Sequence, residues 1–251
     1  MGAEPVTAIP VVSWPQKLGA ALQMLFIYFG IQGLALLLRI STRIFSPEIL
    51  KERAWITLYE QHFWQLVFAL ILIRVFSGGK FLEWGLNFRN AGVSWRILKK
   101  YCVVYFFIIL LVNVLPYLLQ HQRPSFDYPI TTTNIVGWLS FEWIFVGISE
   151  EIMFRGLIHT FLTRTWTSVW TVAGIAIPSA GLITTIIFCL AHINPFHPHV
   201  YWPQQVFAFG LGIYYSAVYH RTGSLLNPIL AHNYGDGLIF VALYLLYAWL
   251  R

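Results

Sequence analysis

The chain has 251 residues, of which 58% are hydrophobic and only 10% are charged, and its mean hydropathy is +0.66. Soluble domains are nearer half apolar and a quarter charged, so this composition excludes an ordinary soluble protein and predicts a polytopic membrane protein. The basic residues behind the net charge of +6 fall mostly between apolar runs, which favours loops facing anionic lipid over a nucleic-acid surface.

Seven apolar runs approach or exceed the roughly 20 residues that a helix needs to cross a bilayer. In chain order they cover residues 19–38, 62–76, 101–119, 134–162, 168–192, 204–219 and 225–250. Ser46 followed by Pro47 is typical of a helix start and predicts a short amphipathic helix through Trp55 at the interface. Pro178 and Ser179 predict a kink or short re-entry in the fifth run. The sequence therefore predicts an all-α fold, a membrane bundle of about seven to eight transmembrane helices.

Residues 147–160, GISEEIMFRGLIHT, place two acids and a base inside the fourth apolar run. Ionisable groups are costly in hydrocarbon, so such a cluster marks a functional site by default. Glu151 and Arg155 are four apart and predict an ion pair, whereas Glu150 is left without a partner from its own turn. A carboxylate in apolar surroundings can act as a general base, so this spacing predicts chemistry for Glu150. From this segment alone, a purely structural role for both acids stays equally open.

Two later apolar runs each carry a histidine. His192 ends the run IIFCLAH, and His232 lies four residues before Asp236 within NPILAHNYGD, which places both on one helical face. Each of these patterns alone is weak, since a lone histidine at a helix end is more often interfacial than catalytic. Glutamate, histidine and aspartate in three separate membrane segments are a much more specific combination.

Together these segments resemble the CPBP family, which includes type II CaaX prenyl endopeptidases and bacteriocin-processing or bacteriocin-immunity proteins. The resemblance rests on EEIMFRGLI, IIFCLAH and YHRTGSLLNPILAHNYGD in successive membrane segments. It covers about residues 138–250 and implies an intramembrane endopeptidase. On this basis we divide the single membrane domain into N-terminal membrane helices and amphipathic segments (1–133) and a catalytic helical core (134–251).

The resemblance also implies roles for the matching residues, which are Glu150, His192, His232 and Asp236, with Glu151 and Arg155 in support. Glu150 would activate the attacking water, helped by His192. His232 and the residue at 236 would stabilise the oxyanion, a step for which one donor can supply about 3–4 kcal/mol. In the CaaX branch this last residue is commonly Asn, and here it is Asp236. An ionised Asp cannot donate a hydrogen bond, so it must be protonated, orient His232 or bind a positive group.

A zinc enzyme is the alternative to this metal-free mechanism. Its ligands would be Glu150, His192, His232 and Asp236, which are plausible zinc ligands by type. No HExxH motif is present, and the ligands would have to assemble from distant segments, so we favour a glutamate-dependent mechanism without a cofactor. His197 and His199 are expected on the substrate side or at the interface, and Cys102 and Cys189 are expected to be packing residues.

The expected function is hydrolysis of a peptide bond in a membrane-anchored or hydrophobic peptide or protein. The expected partners are this substrate and the lipid bilayer, without nucleic acid, and the oligomeric state is left open. We expect a multi-pass protein of a prokaryotic cell membrane, acting on a peptide, lipoprotein or C-terminal sorting signal. Two other functions stay open: a catalytically silent immunity or scaffold protein that binds peptides, and a proton- or ion-coupled transporter, which the lack of a paired repeat disfavours.

Overall fold

The computed structural model describes residues 12–193 and 199–250, and this part of the chain is a bundle of helices with one small β-hairpin. The helices are α1 (Trp14–Leu37), α2 (Ser41–Ile44), α3 (Pro47–Glu52), α4 (Trp55–Ser77), α5 (Ala91–Ile109), α6 (Leu115–Gln120), α7 (Thr132–Ser140), α8 (Val146–Glu151), α9 (Thr160–Leu162), α10 (Ser179–Ala191), α11 (Trp202–Thr222) and α12 (Leu226–Trp249). A short 3₁₀ helix spans Phe81–Trp84, and the hairpin strands are β1 (Val169–Val172) and β2 (Ile175–Pro178). The predicted all-α membrane bundle is confirmed.

Four helical segments in the described residues are long and apolar enough to cross a membrane. They are Trp14–Ile44, Trp55–Ser77, Ala91–Gln120 and Leu226–Trp249. Helix α10, with 13 residues, is apolar but short. The chain is therefore an integral membrane protein.

Three predicted boundaries were wrong. The helix predicted at 62–76 is α4, which begins seven residues earlier at Trp55 and has 23 residues. The amphipathic helix starts as predicted, with the Ser46 side chain accepting a hydrogen bond from the Ile49 amide, but it ends at Glu52 instead of running through Trp55. The helix predicted at 101–119 is the second half of a longer one that starts at Ala91.

The fifth apolar run, 168–192, is not a spanning helix. Its first half forms the antiparallel hairpin of β1 and β2, in which Val172 pairs with Ile175 across a two-residue turn. The turn residues Ala173 and Gly174 both have positive φ, +50° and +77°, as the tight turns that suit hairpin twist require. Pro178 ends β2 and precedes α10, so it divides a strand from a helix and does not kink a helix.

The middle of the bundle is the segment 132–162, which we call the central helix. It is continuous from α7 to α9 and packs against α4, α10, α11 and α12. Its residues Met153, Leu157, Ile158 and Leu162 are fully buried in the main hydrophobic core. This helix carries the acidic pair, so the acids lie at the centre of the molecule.

The central helix contains two wide π-helical segments, Phe141–Phe145 and Ile152–His159, on either side of α8. Single wide turns of this kind occur often at functional sites. At the first of them, the side-chain amide of Asn233 on α12 forms hydrogen bonds with two backbone groups of the central helix. Its Oδ1 accepts from the Gly147 amide at 2.8 Å, and its Nδ2 donates to the Ile144 carbonyl at 3.0 Å. One side chain thus fixes α12 against the start of α8.

The contact between these helices is close because residue 147 has no side chain. A Cβ at Gly147 would lie 2.5 Å from the Asn233 Oδ1 and 2.9 Å from the Ile229 carbonyl oxygen. Both distances are shorter than Cβ contacts in real proteins allow, so any other residue would push α12 away from the acidic pair.

Candidate active site

A fully buried ion pair lies beside the site. The Arg155 Nη1 donates to the Glu151 Oε1 at 2.9 Å, and neither side chain has any exposed surface. The same Oε1 is 2.8 Å from the Nδ1 of His232 on α12. Glu151 therefore connects the central helix to α12 and fixes the orientation of the His232 ring.

Aromatic rings and a backbone carbonyl hold Arg155 on its other sides. Its Nη2 donates to the Gly212 carbonyl of α11 at 3.1 Å, and its guanidinium carbon lies 4.8 Å from the Phe188 ring centre and 5.1 Å from that of Tyr215. A buried charge needs such compensation because its desolvation is costly. Arg155 and Glu151 thus link four helices and do not face the cavity.

Glu150, the other acid of the pair, faces a cavity of about 660 Å³. Its side chain is 15% exposed, and each of its oxygens faces a different imidazole. The Oε2 lies 3.7 Å from the His232 Nε2, and the Oε1 lies 3.9 Å from the Nε2 of His62 on α4. No basic side chain among the described residues comes closer to it, so Glu150 is the member of the acidic pair that faces the cavity.

His232 is held from three directions. Its ring stacks on Tyr215 with the planes 12° apart, its Nδ1 meets Glu151, and its Nε2 lies 3.1 Å from the Asp236 Oδ2. Asp236 also lines the cavity, and its side chain is 31% exposed. The predicted four-residue spacing does place the histidine and the aspartate on one face of α12.

His192 lines the same cavity but is not adjacent to the acids. Its Nδ1 donates to the Phe188 carbonyl, one helical turn earlier, at 2.8 Å. Its ring nitrogens lie farther than 4.0 Å from every carboxylate in 12–193 and 199–250, whereas those of His62 and His232 do not. The four predicted site residues therefore share one cavity, and His192 is its outlying member.

Two cavity residues were not predicted from the sequence, His62 and Glu142. His62 is the first residue of the predicted run 62–76, whereas α4 begins seven residues earlier, at Trp55. Glu142 lies eight residues before Glu150, and on a regular α-helix such residues point about 80° apart. The wide turn at Phe141–Phe145 takes up one additional residue, which brings both acids to the same side of the central helix. Their shared signal is an ionisable residue inside an apolar run.

The arrangement of these side chains does not fit a zinc site. Within the described ranges, no group of three or more His, Cys, Asp or Glu residues is arranged to hold a metal ion. His199 is exposed and does not line the cavity, and His197 lies outside the described residues.

Comparison with protein families gives one match. The model for "Type II CAAX prenyl endopeptidase Rce1-like" matches residues 132–249, from the first turn of the central helix to the end of α12. The matched segment contains the acidic pair, Arg155, His192, His232 and Asp236. Comparison with curated proteins and with solved structures gives no match. Residues 132–249 thus belong to the family of type II CAAX prenyl endopeptidases, the CPBP intramembrane proteases.

Proposed function

We propose that the protein is an intramembrane endopeptidase in which Glu150 activates a water molecule to hydrolyse a peptide bond of a membrane-associated substrate. The family comprises membrane peptidases, and the helices make this chain an integral membrane protein. The observation that carries the mechanism is the difference between the two adjacent acids. Glu151 is fully buried and bonded to both Arg155 and His232, whereas Glu150 faces the cavity without an arginine or lysine partner among the described residues.

A carboxylate in this position can remove a proton from water as the water attacks a carbonyl carbon. Glu150 then holds the proton and can return it to the leaving amine, so that the carbon–nitrogen bond breaks with a neutral amine as product. Apart from water and substrate, residues that line the cavity supply every group that the proposed reaction uses.

His232 is the group best placed to stabilise the oxyanion that forms on the substrate carbonyl. Its Nε2 faces the cavity 3.7 Å from Glu150, and Glu151 fixes its ring from the Nδ1 side. Because the Nδ1 donates to Glu151, the Nε2 carries a hydrogen in the positively charged imidazolium form, and Asp236 can accept this hydrogen at 3.1 Å before substrate arrives. We infer that Asp236 orients this hydrogen and that the substrate oxygen takes it over during the reaction. Asp236 thereby acts through His232 and is not itself an oxyanion donor.

The cavity walls favour a hydrophobic peptide. The lining includes Val112, Phe141, Phe188, Phe207, Leu211, Ile239 and Phe240, with polar groups concentrated around Glu150 and His232. Such a distribution, mostly apolar with a few placed polar groups, is usual for ligand cavities. A substrate with a lipid-modified or apolar residue beside the scissile bond fits these walls, which is consistent with the prenyl substrates named in the family description.

The test is proteolysis by the purified protein in lipid nanodiscs. Two probes are used: a farnesylated peptide that ends in a CaaX sequence, and an internally quenched apolar peptide without a lipid. We expect cleavage of at least one probe by the wild type and a loss of at least 100-fold in Glu150→Gln, which keeps the shape of the side chain but removes the base. The control is Glu83→Gln, because Glu83 is 61% exposed and pairs with Lys80 on the surface.

Undiminished cleavage by Glu150→Gln would refute the assignment of the base. If neither probe is cleaved but both bind with similar affinity to wild type and Glu150→Gln, a catalytically silent peptide-binding protein is the better description. Cleavage products are identified by mass spectrometry, which also gives the scissile bond.

A further inference from the structure

The side chain of His62 lies against Glu150 although it comes from α4, outside the segment that matches the family. It is 12% exposed, lines the cavity and packs edge-on against Phe141, with 5.0 Å between ring centres. Polar side chains of α4 also bond to the central helix one and two turns earlier, from Trp55 to Asn134 and from Tyr59 to Ser140. The position of His62 is therefore fixed by a series of contacts between the same two helices.

The hydrogen bonds of Ser149 indicate which nitrogen of His62 carries the hydrogen. The Ser149 hydroxyl donates its one hydrogen to the Val146 carbonyl at 3.0 Å, since a carbonyl oxygen only accepts. With the Ser149 hydroxyl donating to Val146, the His62 Nδ1, which lies 2.7 Å from the same hydroxyl oxygen, is the donor in this contact. In a neutral ring, the other nitrogen then has a free lone pair. The His62 Nε2 is thus a hydrogen-bond acceptor that points toward Glu150.

The gap between the two acceptors has the size of one water. The Nε2 of His62 and the Oε1 of Glu150 are 3.9 Å apart, which is too long for a direct hydrogen bond. One water between them can donate one hydrogen to each acceptor, at about 2.8 Å. Both hydrogens of this water are then directed at the protein, and its remaining lone pairs face the cavity.

We propose that His62 positions the attacking water by accepting its second hydrogen while Glu150 accepts the first. In the reaction the first proton moves to Glu150 as the water oxygen bonds to the carbonyl carbon, and Glu150 later returns this proton to the leaving amine. The second hydrogen stays on the new hydroxyl group during the attack, held toward the Nε2. His62 is thus a positioning residue for the water. The family resemblance implies this role for His192 instead.

Charged and titratable side chains from three neighbouring parts of the fold face His62. They are Glu150 and Glu142 on the central helix, His232 and Asp236 on α12, and His192 after α10. Of these, Glu150 is the one within 4.0 Å of a His62 ring nitrogen in the described residues. The water position is therefore defined by His62 and Glu150 together.

The inference rests on the proposed function, and the substitution His62→Asn tests it separately. The Asn amide nitrogen takes the place of Nδ1 and keeps the donor to Ser149, but no acceptor remains at the place of Nε2. We expect kcat on the cleaved probe to fall 10- to 100-fold with KM and thermal midpoint unchanged, because substrate contacts and helix packing are kept. The matched variant Ser149→Ala removes the acceptor of the His62 Nδ1 hydrogen but keeps the imidazole. We expect kcat to fall less in this variant than in His62→Asn.

Histidine ¹⁵N spectra of the wild type give a second measurement that needs no activity. Comparison with His62→Asn assigns the His62 signals, which should show hydrogen on Nδ1 and a free Nε2. Wild-type kcat in His62→Asn, a loss confined to KM or stability, or hydrogen on Nε2 would each overturn the proposal for His62. Loss of activity in Glu150→Gln alongside any of these results leaves the proposed function standing, whereas an active Glu150→Gln removes both.

Discussion

Arg155 and Glu151 form an ion pair, 2.9 Å between Nη1 and Oε1, that has no contact with solvent at either end. Glu151 also accepts from His232, so the pair joins the centre of the bundle to α12. Glu151 is thus held inside the bundle by the ion pair, whereas its neighbour in sequence, Glu150, faces the cavity.

Removal of the arginine should therefore destabilise the protein strongly. In Arg155→Gln, Glu151 remains buried without its cationic partner, and the expected loss is about 3–5 kcal/mol. The measurement is the thermal or denaturant unfolding midpoint in detergent. The double variant Glu151→Gln/Arg155→Gln should be more stable than Arg155→Gln alone, because no uncompensated charge is left. A single variant with wild-type stability would show that the pair is not needed for folding.

Gly147→Ala should separate α12 from the central helix. The added Cβ meets the Asn233 Oδ1 and the Ile229 carbonyl, so we expect a loss of about 1–3 kcal/mol and reduced cleavage. The control is Gly30→Ala in α1, where a Cβ has no neighbour within 4 Å. Alanine is the better helix former by up to about 1 kcal/mol, so this control should be as stable as the wild type or more so. Equal changes in stability in Gly147→Ala and Gly30→Ala would contradict the close contact between α12 and the central helix.

Asp236→Asn should keep most of the activity, within about 10-fold of the wild type. The amide oxygen of Asn can still accept from the His232 Nε2, and its amide nitrogen adds a donor for the oxyanion. Asp236→Ala removes the acceptor and should lower kcat by about 10- to 100-fold, as expected for a lost orienting contact. Similar kcat values in the Asn and Ala variants would show that Asp236 does not orient His232.

Chelation should leave proteolysis unchanged. The cleavage assay is repeated after treatment with a zinc chelator and after addition of zinc, with the metal content of the protein measured in parallel. Constant activity at falling metal content is expected, because no group of three or more His, Cys, Asp or Glu side chains in the described residues is arranged to hold a metal ion. Activity that disappears with the chelator and returns with zinc would overturn the metal-free mechanism.

Helical spacing was sufficient to predict which of the adjacent acids pairs with Arg155. A four-residue separation is a local property, and both partners lie on one segment. The same applies to His232 and Asp236 on α12. What the sequence could not show is which helix approaches from across the cavity, because that depends on packing between α4 and the central helix. His62 was missed for this reason, although it lies closer to Glu150 than the predicted His192.

Wide turns and strands were the other limits of sequence reasoning. The wide turn at Phe141–Phe145 leaves no mark in the hydrophobic pattern, and without it Glu142 and Glu150 do not share a face. The hairpin at 169–178 did leave a signal, since β-branched residues flank Ala173 and Gly174. Its apolar length is typical of a membrane helix, whereas its β-branched residues favour strands, and the structure follows the residue type.

The contact between His62 and Glu150 means that the region of family similarity is smaller than the unit that performs the proposed chemistry. Residues 132–249 contain the acids and two of the three histidines of the cavity, and α4 supplies the third. Exchange of the segment before residue 132 between relatives is therefore not neutral, even where the matched motifs are identical. In the proposed mechanism, such chimeras take the residue that positions the water from one parent and the general base from the other.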